Sequence, residues 1–123
     1  MNKIVSKHKY DLEERTFKFS ENVISLCKIL KQDTITKPII SQLIRSSTSV
    51  GANYVEANGA SSKKDFANKI FICRKESKET SYWLRILATC FEDKKEQVRI
   101  LYKESIELTL IFSKISFSAR KSV

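Results

Sequence analysis

Apolar residues recur along the chain in alternating steps of three and four. In the first stretch they are Leu12, Phe19, Val23, Leu26 and Leu30, with Thr16 holding the place between Leu12 and Phe19. The second stretch runs Ile40, Leu43, Ser47, Val50, Tyr54, Ala57. The third runs Phe66, Ile70, Cys73, Ser77, Thr80, Leu84, Leu87, Phe91, and the fourth Val98, Leu101, Ser105, Leu108, Phe112, Ile115. This alternation lines side chains along one seam of a helix, whereas a half-buried strand would repeat every second residue. It predicts an all-α chain with helices over about 11–31, 38–58, 62–91 and 95–117, in a single domain spanning 1–123.

The punctuation fits four helices. Thr34 to Pro38 separates the first two, and Pro38 suits a first turn, where its missing N–H costs nothing. Asn58-Gly59 stops the second helix, with the glycine expected in the left-handed conformation. Ser61 or Ser62 caps the third, and Asp65 favours its positive start. Glu92-Asp93-Lys94-Lys95 makes the last connection. Short connections make neighbours antiparallel, so the predicted architecture is an up-down-up-down four-helix bundle. Residues 1–10 and 118–123 read as frayed basic tails.

The seams leave some residues over. On the third helix Ile72, Trp83, Ile86 and Cys90 widen the apolar face to one side, and Glu76 and Glu79 interrupt it. The equivalent side of the second helix carries Ser46, Ser49, Asn53 and Glu56. An unpaired carboxylate beside a core is costly. Arg45, Ser49, Asn53, Glu56, Glu76 and Glu79 are therefore read as a structural polar network that fixes helix register. A di-iron carboxylate site would need Glu-x-x-His pairs on two helices. His8 is the single histidine and stands outside the expected helices, so neither a metal nor another cofactor is expected. The run Ser46 to Asn53 is rich in small residues that form helices poorly but let another backbone approach closely. It lacks the Gly-Lys-Ser/Thr ending of a phosphate loop. On the fourth helix Ile106, Leu110 and Phe117 lie off the seam, and Ile100 and Ile111 widen it. A helix apolar on two faces usually buries both, which predicts a homo-oligomer with this helix at the interface.

Composition adds charge and removes chemistry. The 123 residues hold 23 Lys and Arg against 14 Asp and Glu, a net charge of +9. Two glycines and one proline argue against a tightly turned β fold. Cys27, Cys73 and Cys90 are widely spaced without a CxxC, so they read as core thiols rather than a disulfide framework or zinc site. No apolar run approaches membrane-span length, and the basic start lacks an apolar signal core, so cytoplasmic residence is the default. The charge gathers on the outer face of the third helix at Lys64, Lys75, Lys78 and Arg85, with Arg74 beside them and Phe71 and Tyr82 between. Cations interleaved with aromatics suit RNA or DNA, since the cations meet phosphates and the rings stack on bases. The rival partner is an acidic protein surface. Lys3, Lys7, Lys9, Arg120 and Lys121 add positive charge at the ends. No enzyme is expected: no cysteine has a helical histidine neighbour, and the serines of the second helix have no base but Glu56.

Two segments carry a resemblance. Arg45-Ser46-Ser47-Thr48-Ser49-Val50-Gly51-Ala52-Asn53-Tyr54-Val55-Glu56-Ala57, followed by Phe66 and Lys75-Glu76-Ser77-Lys78-Glu79-Thr80-Ser81-Tyr82-Trp83-Leu84, resembles the four-helix-bundle proteins of the 23S ribosomal RNA intervening-sequence family. The similarity extends from about Phe17 to Ile115. Where many relatives have Ala-Glu-Gly after the asparagine of the second helix, this chain has Val55-Glu56-Ala57. The resemblance implies a small bacterial bundle that assembles as a pentamer. It also implies kinship with the accessory protein of diversity-generating retroelements, a basic pentamer that binds nucleic acid and a reverse transcriptase.

Overall fold

A computed structural model describes the backbone of residues 2–123 and the side chains from Leu12 onward. Four helices follow in order: α1 Asn2–Lys28, α2 Thr36–Asn58, α3 Lys63–Cys90 and α4 Lys95–Lys121, with one 3₁₀ turn, Glu92–Lys94, before the last. Each helix packs on its two neighbours around a square, and among the described residues no diagonal pair comes within 8 Å between Cα atoms. This is the up-down-up-down bundle the seams predict. Among the described residues the α2–α3 and α3–α4 seams are the densest, and α1, whose side chains are described from Leu12 onward, adds fewer contacts to α2 and α4.

The core follows the heptad positions. Phe19, Val23, Leu43, Val50, Ile70, Leu84, Leu87, Leu108 and Phe112 are buried along the axis, with Tyr54 against Phe112 at 5.7 Å between ring centroids. The hydroxyl residues that interrupt the seams are buried too, and each has a bond. Thr16 Oγ1 donates to the Leu12 carbonyl at 2.9 Å and Ser77 Oγ to that of Cys73 at 2.8 Å. Between helices, Thr80 meets Ser46 at 3.0 Å and Ser81 meets Ser105 at 2.7 Å. Buried hydroxyls are tolerated because these bonds replace lost water contacts. The small run of α2 meets α3 at Ser46 and α1 at Ser47 and Gly51. A Cβ built on Gly51 would lie 3.2 Å from Thr16 Oγ1, and Ser20 Oγ reaches the Ser47 carbonyl at 3.3 Å.

Several boundaries differ from expectation. The segments read as tails, 1–10 and 118–123, are helical from Asn2 and up to Lys121, because neither contains a helix breaker. The side chains of Lys3, Lys7, His8 and Lys9 lie outside the described residues. Helix α1 stops at Lys28 rather than near 31: Ile29 and Leu30 form tight turns onto Leu26 and Cys27, which keeps Leu30 buried beyond the helix. Helix α2 starts at Thr36, two residues before Pro38. Asp33 Oδ1 accepts from the Ile35 and Thr36 amides at 2.9 and 2.8 Å, and Thr36 Oγ1 accepts from the Asp33 amide at 2.9 Å, a reciprocal cap. Ser62, not Ser61, caps α3 by accepting from the Asp65 amide at 3.0 Å. Gly59 is not left-handed: its φ is −104°, and the helix closes by bonds three residues back, from Gly59 to Glu56 and Ala60 to Ala57. Cys27 and Cys73 are core thiols, and burial pushes them up to about 11 and about 12. Cys90 is only half-buried, near the end of α3.

Candidate nucleic-acid interface

Seven of the residues singled out for nucleic acid lie on α3, whose inner seam is fixed by Ile70, Cys73, Ser77, Thr80, Leu84 and Leu87. With that seam inward, Lys64, Phe71, Lys75, Lys78, Tyr82 and Arg85 fall at steps of 7, 4, 3, 4 and 3 on the opposite side. All six are exposed, Phe71 by 41% and Tyr82 by 54%. The cations on this line make no ion pair among the described residues, whereas Arg15, Lys18, Arg45, Lys69 and Arg99 all do. Arg74 stands apart. It is half-buried toward α4, where its Nε donates to Ser113 Oγ at 3.2 Å, and its guanidinium lies 5.9 Å from the Phe71 ring centroid.

The outer side of α4 continues this face. Leu110 and Phe117 are well exposed, 65% and 64%, and Ile106 at 37%. Lys121 Nζ sits 4.7 Å from the Phe117 ring centroid. Ile100, expected to widen the seam, is also exposed, because it turns toward the α1–α4 side.

The polar flank between α2 and α3 divides into three parts. Arg45 bonds to Glu76, 3.2 Å from Oε1, and to Glu79, which also accepts from the Trp83 indole N–H at 2.9 Å. Those two bonds hold the Glu79 carboxyl below the ordinary carboxylate range, Trp83 first. Ser49 and Asn53 do not join this cluster. The Asn53 amide folds back on the Ser49 carbonyl and hydroxyl of its own helix. Glu56 is exposed and pairs with Lys69 at 3.7 Å. The expected single network is therefore a three-residue cluster with Trp83 added, because Ser49 and Asn53 are near enough within one turn to satisfy each other. Glu56 does not converge with Glu76 and Glu79, and among the described residues no three His, Cys, Asp or Glu side chains gather as a metal site would need.

One interhelical link had no signal in the sequence. Arg15 on α1 crosses to α4, donating to both oxygens of Glu104 at 2.7 and 2.8 Å and to Glu107 at 2.7 Å. The partners are 89 and 92 residues away, beyond any local pattern. They hold the guanidinium pKa above its usual value, Glu104 most. Beside them the two helices leave a cleft of about 540 Å³. Among the described residues no helix is long and apolar enough to cross a membrane.

The bundle has known counterparts. It is similar to the crystal structure of a protein of unknown function from the S23 ribosomal protein family of Bacteroides thetaiotaomicron, with a TM-score of 0.79 and 31% identity over 88% of this chain and 96% of that one. No curated protein matches. The family model for the 23S rRNA-intervening sequence protein matches residues 8–114. Those residues take in the four heptad seams up to Phe112, the small run of α2 and the cationic line of α3, and on that match the chain belongs to the 23S rRNA-intervening sequence protein family.

Proposed function

We propose that this is a non-catalytic, oligomeric binding protein that holds RNA or DNA on the outer face of α3. One observation carries the reading: Lys64, Lys75, Lys78 and Arg85 are exposed on a single line, free of ion pairs among the described residues, with Phe71 and Tyr82 interleaved. Unpaired cations release counterions from phosphates, and rings between them stack on bases whatever their sequence. The net charge of +9 favours the same partner. Kinship with the nucleic-acid-binding retroelement accessory proteins, implied by the sequence resemblance, points the same way.

The non-catalytic part is supported by what the candidate groups already do. Glu76 and Glu79 are engaged with Arg45, Glu56 with Lys69, and the buried thiols of Cys27 and Cys73 are raised, the wrong direction for a nucleophile. Of Ile106, Leu110 and Phe117, the three residues expected at an oligomer contact, Ile106 and Leu110 in the middle of α4 keep that assignment, with five copies by family resemblance, and Phe117 near the helix end is left out of it. Binding of mixed-sequence RNA and DNA, measured across a salt series, tests the reading. Affinity should fall steeply as salt rises. Absence of binding at low salt would sink it, and retention of an acidic protein instead would favour the rival partner.

A further inference from the structure

The bundle bonds its buried hydroxyls with one exception. Ser116 on α4 is 3% exposed, and its Oγ is the one buried side-chain oxygen or nitrogen without a hydrogen-bond partner among the described residues. A helical serine commonly bonds back to the carbonyl four residues earlier, as Ser77 and Ser81 do on α3. An orphaned buried hydroxyl asks for a partner from outside the fold. Ser116 lines a cavity of about 430 Å³ between α3 and α4, together with Arg74, Ser113, Phe117, Arg120 and Lys121. Three of the six lining residues are cations and none is acidic. Arg74, Arg120 and Lys121 make no ion pair among the described residues. Arg120 and Lys121 stand in the last turn of α4, where cations complement the helix dipole. That accounts for their sign, but not for Arg74 on the neighbouring helix or for the empty-handed serine.

We infer that this cavity is a seat for one phosphate group of a nucleotide. The Ser116 hydroxyl, closed to solvent as it stands, turns about χ1 toward the cavity and donates to a phosphate oxygen. Ser113 Oγ, which accepts from Arg74 Nε, keeps its own hydrogen to donate to another. The three cations balance the charge, and the exposed Phe117 ring offers a face to the base. The phosphate can belong to a free nucleotide or to a polynucleotide chain; only the second source rests on the function proposed above.

The test uses the whole protein, labelled with nitrogen-15, titrated with inorganic phosphate, with adenosine 5′-monophosphate and with a short oligonucleotide. Saturable shifts of the Arg74 Nε–H and Ser116 amide signals are expected. Ser116→Ala should weaken binding of the monophosphate by about tenfold, the size of a lost hydrogen bond to a charged group. It should leave the melting temperature unlowered, since no internal bond is removed. Arg120→Gln with Lys121→Gln, both exposed, gives a second variant expected to lose binding without unfolding. Weaker oligonucleotide binding by Ser116→Ala assigns the phosphate to a chain, whereas an effect on the monophosphate alone assigns it to a free nucleotide. The seat is overturned if phosphate and monophosphate give no saturable shift, if both variants bind as the parent does, or if Ser116→Ala lowers the melting temperature. Monophosphate binding with no oligonucleotide binding at low salt would overturn the proposed function and leave the seat standing.

Discussion

Gly51 and Gly59 look alike in the sequence and differ in what they allow. Gly59 has a backbone any residue can adopt, and an added Cβ would meet nothing closer than the Glu56 carbonyl at 3.9 Å. Gly59→Ala is expected to stabilise the bundle by about 0.4–1 kcal/mol, through the unfolded chain. Gly51 is where α1 closes on α2, with Thr16 Oγ1 already 3.2 Å from the Cβ position. Gly51→Leu is expected to cost about 1–3 kcal/mol by overpacking. Urea denaturation of both variants checks the pair, and a neutral Gly51→Leu would mean the contact is not tight. Glu79 supplies a second residue-scale prediction. Its folded-state pKa is depressed, so its contribution to stability is present above the ordinary carboxylate range and is lost as pH falls through the lower, folded value. Trp83 is the only tryptophan and bonds to that carboxylate. Its emission should change with a midpoint below pH 4.5, and the change should vanish in Glu79→Gln. A midpoint at or above 4.5 contradicts the bonding. Arg45, Glu76 and Glu79 were legible because polar groups at a core flank need one another. Trp83 was read as apolar surface, since the pattern registers its ring and not its N–H.

At the scale of the element, α3 carries two side-chain series on one helix. Its inner seam and its outer cationic line are both heptad series, half a turn apart, so either can change without the other. Replacing Lys75, Lys78 and Arg85 with Ala should lower the slope of log affinity against log salt by roughly 2–3, the count of phosphate contacts removed. Melting should be unaffected, because all three are exposed. An unchanged slope would move the nucleic acid to another face. The helices themselves were legible from the seams, since burial repeats at every named position except Phe66, Phe91 and Ile115, which are half-buried near the bundle's ends. Their ends were less so. Apolar periodicity runs on through Leu30 after hydrogen bonding has left the helix, and the cap of α2 is made by Asp33 and Thr36, outside any seam. The Arg15 link, the Ser116 cavity and the division of the polar flank depend on which helix faces which, and spacing within one helix carries no record of that.

For the whole molecule, exposed apolar residues occur on every helix: Phe17 on α1, Val55 on α2, Phe71 and Tyr82 on α3, and most of all on α4, with Ile100, Ile106, Leu110 and Phe117. A self-association through Ile106 and Leu110 predicts a light-scattering mass that is a multiple of 14.2 kDa. Ile106→Glu with Leu110→Glu should return the mass to one copy with helicity unchanged. A parent protein already at 14.2 kDa removes the assignment.

The described part of α1 also orders events in time. Among the described residues α2, α3 and α4 hold one another through two dense seams, while α1 from Leu12 onward rests on sparser contacts and on the Arg15 and Glu13–Asn58 bonds. The last three helices should therefore condense first and α1 dock last. In the folded protein the hierarchy runs in reverse: α1 should lift away in a partial opening while the other three stay assembled. Native-state hydrogen exchange would then show two classes of amide. Those of α1 from Thr16 to Leu26 should exchange through the smaller opening, and the buried ones of α2 to α4 only on global unfolding. Arg15→Ala should speed the first class and leave the second alone; one exchange class for all four helices would mean the bundle opens as a single unit.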